Sequence, residues 1–183
     1  CYACAAGYYT STDRTSCIPC PAGTFNAAQA GASISSCLLC RSGTYSMTPA
    51  ATSNASCIEC SAGLFNPNNG SNSFTACRTC AAGSYSLDGA AQCTPCDVGT
   101  ASPLTGSGSS ASCQPCVEGY YATAGSARCL PCAAGYYQPS ARQSSCNMCA
   151  PGTFANVTGS SRCELCMPGY YSSNFAQPVC DRC

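Results

Sequence analysis

The strongly apolar positions of this chain are few and evenly spaced. Aromatic residues recur at Tyr9, Phe25, Tyr45, Phe65, Tyr85, Tyr121, Tyr137, Phe154 and Tyr171, and small or polar residues fill most of the sequence between them. No stretch carries apolar residues at the 3.6-residue spacing of an amphipathic helix, and period-2 runs are brief. Each of these aromatics stands two residues after a glycine: Gly7, Gly23, Gly43, Gly63, Gly83, Gly119, Gly135, Gly152 and Gly169. Gly99 is followed instead by Ala101, the single departure. The pattern predicts a tight turn at the glycine, a short strand bearing the aromatic, and a polar loop that returns the chain. Tyr8, Tyr120, Tyr136 and Tyr170 precede the aromatic in four repeats and point to the opposite face if the segment is extended.

Cysteine supplies the frame. All 22 cysteines of the 183 residues fall into Cys-x-x-Cys pairs, from Cys1/Cys4 to Cys180/Cys183, and each glycine lies three residues after the second cysteine of a pair. The intervals between pairs vary only in the loops, which marks a tandem array. Repeats begin near Cys4, Cys20, Cys40, Cys60, Cys80, Cys96, Cys116, Cys132, Cys149 and Cys166. Residues 1–183 read as one continuous array of about ten such units, a segment of something longer. Cysteine at about 12 % of positions is the density of a disulfide scaffold. Large aliphatic side chains are sparse and Trp is absent, so one large core cannot form and local staples must hold the chain. The expected fold class is small disulfide-rich repeats: an elongated solenoid or rod of short β-hairpins and turns, with essentially no helix. A single repeat should not fold without its neighbours.

Charge narrows the function. Seven acids balance seven Arg, Lys and His are absent, and only 8 % of residues are charged. No basic footprint for nucleic acid exists, and low mutual repulsion favours close packing of copies. No apolar run is long enough for a membrane span, and no signal peptide is visible. Without His, and with the acids Asp13, Glu59, Asp88, Asp97, Glu118, Glu164 and Asp181 at scattered repeat offsets, no hydrolytic constellation can be assembled. Eleven equivalent Cys-x-x-Cys pairs without a helix do not resemble one redox-active pair. Zinc is the sharpest alternative, since the pair spacing suits a zinc ribbon. Against it, each tetrathiolate would carry a net −2 that seven Arg do little to offset, and eleven pairs do not divide into twos. The expectation is no enzyme and no cofactor.

The pattern Cys-x-x-Cys-x-x-Gly-x-[Tyr/Phe] followed by a loop and the next Cys-x-x-Cys resembles the cysteine-rich repeats of ephrin-receptor-like and tumour-necrosis-factor-receptor-like ectodomains. Long arrays of this kind are also similar to cysteine-periodic surface proteins of ciliates and other protists. The resemblance implies that the second cysteine of one pair bonds the first of the next. That pairing gives Cys4–Cys17, Cys20–Cys37, Cys40–Cys57, Cys60–Cys77, Cys80–Cys93, Cys96–Cys113, Cys116–Cys129, Cys132–Cys146, Cys149–Cys163 and Cys166–Cys180. Cys1 and Cys183 are left to bond outside the segment. Spacing alone leaves a rival open, in which alternate pairs join first to first and second to second.

Asn54, Asn69 and Asn156 open N-x-[Ser/Thr] sequons on polar loops and are candidate glycan sites. The second aromatics, such as Tyr120 and Tyr136, could form an exposed ladder for contact between chains. The repeat with Ala101 and its Gly106-Ser107-Gly108 loop reads as a flexible joint. Repetition without a unique site points to a structural extracellular or cell-surface role, in a filament, coat or appendage. Its partners would then be copies of itself or other structural chains. The alternative is a receptor-type ectodomain that binds a protein or glycan.

Overall fold

The structure, a computed structural model, describes residues 3–183. Among them the only regular elements are short strands and four 3-10 turns. Each repeat closes as an antiparallel hairpin, and the ten hairpins form ten separate two-stranded sheets. In the repeat that starts at Cys20, Thr24–Phe25 pairs with Leu38–Leu39, with Thr24 opposite Leu39 and Phe25 opposite Leu38. The first strand therefore holds the aromatic, and the second is made by the two residues inside the next Cys-x-x-Cys. That arrangement sets Cys20 and Cys37 at adjacent ends of the hairpin, 5.6 Å apart at Cα, within the span a disulfide bridges.

The uneven period has a simple structural meaning. In the four repeats whose bonded cysteines are 17 residues apart, a 3-10 turn precedes the second of them: Ile34–Ser36, Asn54–Ser56, Phe74–Ala76 and Ser110–Ser112. Repeats with separations of 13 or 14 have none. The insertion is absorbed in the loop, and the hairpin registers are unchanged.

By its internal contacts the chain forms two compact units. The first runs up to Cys80 and adds Ser86–Cys93 and Gly106–Ser109; the second comprises Ala81–Tyr85, Thr94–Thr105 and Ser110–Cys183. Their interiors are built alike. In the first unit the buried side chains include Cys4, Cys20, Cys40, Cys60 and Cys80 with Thr24, Thr44, Asn26, Ser46, Asn66 and Ser86. In the second they include Cys96, Cys116, Cys132 and Cys149 with Thr100, Ala101, Ser102, Gln138, Ala122, Ala155 and Ser172. Sulfur and small polar groups thus occupy the place that aliphatic side chains hold in most domains. Larger apolar residues are outside: Leu39 is 60 % exposed in the first unit, and Leu165 and Met167 are 79 % and 74 % exposed in the second. The repeat aromatics are half-buried apart from Tyr171. Tyr45 meets Phe74 of the following repeat edge to face at 5.8 Å, a favoured aromatic geometry.

Ala101 is buried and packs with Cys116, Ala122 and Cys129 in the second unit. Its loop is tied down too: in the first unit Gly106 N–H donates to the Cys80 carbonyl, and Ser107 C=O accepts from Ser86 N–H. Ala101 thus packs against Ala122 and Cys116 without the aromatic that the other repeats carry. No helix among the described residues is long and apolar enough to cross a membrane.

Candidate functional site

The site repeated along this chain is the junction where one repeat binds the next, and it starts from the glycine turn. Thr24 N–H donates to Pro21 C=O at 3.1 Å, and Gly23 lies at φ +87° in the third place of the four-residue turn. Positive φ at that place defines a type II turn, which favours Gly there and Pro just before it. Pro151-Gly152 and Pro168-Gly169 follow that preference.

The turn exposes main-chain groups to the following repeat, and three hydrogen bonds join them. In the first unit Gly23 N–H donates to Ser46 C=O at 2.8 Å, Asn26 N–H to Ala51 C=O at 2.9 Å, and Ala50 N–H to Cys20 C=O at 2.8 Å. In the second unit Gly119 donates to Gln138 at 2.8 Å, Ala122 to Gln143 at 3.0 Å, and Arg142 to Cys116 at 2.9 Å. Isolated parallel bridges such as Phe25 to Ala51 and Tyr121 to Gln143 mark the same contact. The donor in the following loop has a left-handed backbone whether it is Gly70, Gly89 and Gly159 or Ala50, Arg142 and Ala176.

That left-handed residue also reaches back to the turn two repeats earlier. A Cβ built on Gly7 or Gly23 would stand 2.2 Å from the carbonyl oxygen of Ala50 or Gly70; one on Gly119 or Gly135 would stand 2.0 or 2.1 Å from that of Gly159 or Ala176. No side chain fits there. Gly152 and Gly169 are positive in φ as well, yet nothing lies within 4 Å of a Cβ on either, because no described repeat stands two places further on. The glycine thus meets two demands, one of conformation and one of space.

Side chains reinforce the junction from inside. Asn66, fully buried, donates through Nδ2 to Thr44 C=O and Ser71 Oγ, both at 2.9 Å, and accepts from Asn68 N–H at 3.1 Å. Asn26 donates to Tyr8 C=O at 3.0 Å, and Ser86 Oγ to Leu64 C=O at 2.9 Å. In the second unit Ser172 Oγ donates to Thr153 C=O at 3.1 Å and accepts from Gly152 N–H at 2.8 Å. Ser102 holds the equivalent place, with its Oγ buried and unpartnered. Asn69 and Asp88 act from outside: their Oδ1 atoms accept the Ser42 and Ala62 N–H groups of the preceding repeat at 2.6 and 2.7 Å. These residues carried no sequence signal of their own. Aligning the loops on their cysteines would have shown a small or amide side chain one place after the aromatic, and Asn-Gly or Asp-Gly at Asn69 and Asp88.

The structure places the expected site residues as follows. Disulfides join Cys4–Cys17, Cys20–Cys37, Cys40–Cys57, Cys60–Cys77 and Cys80–Cys93 in the first unit. In the second they join Cys96–Cys113, Cys116–Cys129, Cys132–Cys146, Cys149–Cys163 and Cys166–Cys180. Cys183 is exposed and unpaired among the described residues, and Cys1 lies outside them. Asn54, Asn69 and Asn156 are all exposed. Tyr120 is exposed, but its ring also lies over Gly159, about 3.5 Å from where a Cβ would stand. Tyr136 and Tyr121 flank an open cleft of about 280 Å³ with Ala133, Ser145 and Cys146. Among the acids, Glu59 pairs with Arg41 on the surface. Asp13 accepts from Ser11 Oγ and from Thr15 Oγ1 and N–H, and these bonds lower its pKa from 3.8 to about 2. No group of three or more metal-ligating side chains occurs among the described residues.

A sequence profile described as tyrosine-protein kinase ephrin type A/B receptor-like matches residues 28–77 and 119–161, just over half of the chain. The chain belongs to the ephrin type A/B receptor-like family. The matched segments each contain two complete Cys-x-x-Cys pairs, one segment in each unit, while the Ala101 turn lies between them. No curated protein matches the chain. As an ephrin-receptor-like protein with serial disulfides, it is a disulfide-rich module of the extracellular kind.

Proposed function

We propose that these ephrin-receptor-like repeats act as one continuous array, a structural segment of an extracellular filament, surface coat or appendage. The observation that carries this reading is the junction itself. It is made mostly from main-chain groups and recurs in both units with the same three bonds, so it depends little on which side chains the loops present. Even the Ala101 repeat keeps it. An array of this kind serves length and durability, and its outer side chains remain available for packing against copies of itself or other structural chains. Exposed apolar residues such as Leu39, Leu165 and Met167, with few charges to keep copies apart, supply such contacts. Cys183, an exposed thiol, can extend the covalent series outside the segment.

Electron microscopy of material from the native source, before and after reduction, tests the proposal. Filaments or sheets that decorate with antibody to this chain support it; isolated single particles overturn it. The cleft beside Tyr121 and Tyr136 favours a second reading, a receptor-type ectodomain with a protein or glycan ligand. Saturable binding of a ligand to isolated particles, abolished by Tyr136→Ala with the fold intact, would establish that reading instead.

A further inference from the structure

We propose that Asn54 carries an N-linked glycan whose first sugar lies in the cleft formed by Phe25, Leu39, Thr44, Arg41 and Glu59 of the first unit. Asn54 lines this cleft, which has a volume of about 310 Å³. It opens the exposed 3-10 turn Asn54–Ser56, and the turn is pinned because Cys57 N–H donates to Asn54 C=O at 3.0 Å. The Asn54 amide itself makes no hydrogen bond among the described residues, so Nδ2 is free to be modified without loss to the fold.

The cleft has the chemistry of a pyranose site. Phe25 and Leu39 give the cleft an apolar lining that suits the C–H face of a sugar ring, and Leu39 is otherwise 60 % exposed. The Arg41–Glu59 ion pair in the same lining offers donors and an acceptor for hydroxyl and acetamido groups. The sequons at Asn69 and Asn156 differ. Asn69 Oδ1 holds the Ser42 N–H at 2.6 Å, and the next residue, Gly70, is fixed by its bond to Cys40 C=O. Asn156 is exposed on a loop of the second unit and serves as a comparator.

The modification is a group transfer from a lipid-linked oligosaccharide diphosphate, supplied by the secretory pathway. A bond forms between Asn54 Nδ2 and C1 of the terminal N-acetylhexosamine. The C1–O bond to the diphosphate breaks, the lipid diphosphate leaves with the electron pair, and Nδ2 gives up one proton to a base.

The test expresses the full chain in a eukaryotic secretory host and follows glycan release by an amidase that converts glycosylated Asn to Asp. Site occupancy and release rates are read by mass spectrometry on native and on reduced, denatured protein. The expected result is that Asn54 is occupied and released about ten-fold more slowly in the native protein than after denaturation, beyond any slowing seen at Asn156. Leu39→Ser, a change at an exposed side chain, should remove most of that extra protection while the disulfides stay formed. An unoccupied Asn54, or an occupied one whose native release matches that of the Leu39→Ser variant, overturns the proposal.

Discussion

Replacing Gly119 by Ala tests the junction most directly, because Gly169 provides a matched control in the same unit. The two residues have nearly the same backbone, φ +81° and +85°, so a methyl group costs each about 1–2 kcal/mol in left-handed strain. Only Gly119 faces the Gly159 carbonyl, 2.0 Å from its would-be Cβ, whereas Gly169 faces open space. Relief of that overlap requires the Gly159 loop to retreat by about 1 Å, since Cβ contacts below 3.0 Å are essentially never seen. The retreat pulls on Gly159 N–H, bonded to Cys132 C=O at 2.7 Å, and on Ser160 C=O, which accepts from Gln138 N–H at 3.0 Å. It also lifts Gly159 from the Tyr120 ring. Two hydrogen bonds and one contact, at about 1 kcal/mol each, make roughly 2–3 kcal/mol beyond the shared strain. A repeat array need not unfold in one step, so the assay is residue-resolved amide exchange rather than a single melting curve. Gly119→Ala should speed exchange of the Gly159 amide about 30-fold or more, and Gly169→Ala should leave it near the parent rate. Equal effects would mean that backbone conformation alone explains the glycine, and the reasoning from close approach would be refuted.

Three further outcomes follow from the geometry. Ala50→Gly should stabilise its junction by about 1 kcal/mol, because Ala50 sits at φ +54°, and slower exchange of the residue-50 amide would register it. Asn66→Ala should cost about 2–4 kcal/mol by removing the partners of Thr44 C=O and Asn68 N–H, read as lost protection at Asn68 and in Thr44–Tyr45. The Asp13 pKa is lowered in the folded state, so its contribution is complete above the ordinary value of 3.8 and is lost as pH falls towards 2. Exchange in loop 11–16, corrected for the intrinsic pH dependence, should therefore rise across that window in the parent and show no such step in Asp13→Ala.

Much of the fold was legible because the demanding positions admit one residue type. Cysteine and the turn glycine announce themselves, and the hairpin follows from a turn, a strand residue and the next pair. The rest was hidden because its chemistry tolerates substitution. The buried place after the aromatic accepts Asn, Ser, Gln or Ala: Asn66 and Ser172 donate to a carbonyl of the preceding repeat, whereas Gln138 donates to Ser145 C=O of its own, so the position shows no single residue type in sequence. The left-handed loop residue is Gly at 70 and 159 but Ala at 50 and Arg at 142, so residue type does not mark it even though its offset from the preceding cysteine is the same in these four repeats. The contact of a turn with a carbonyl two repeats on is non-local, and periodicity cannot show it. At position 101 the missing aromatic suggests a missing contact, yet Ala101 is buried and packs with Ala122 and Cys116.

The serial disulfides also determine how the chain responds to pulling. Tension applied between Cys4 and Cys183 would pass through each S–S bond, 5.5–5.8 Å between Cα atoms, and then along the three backbone steps of the next Cys-x-x-Cys. That path is about 16 Å per repeat and about 160 Å for ten, whereas the same residues without the cross-links would extend to about 600 Å. The loops between bonded cysteines, with their sequons, sit off this path and feel no force. The chain is therefore a tether of fixed maximum reach, whose loops can vary without changing its length under strain.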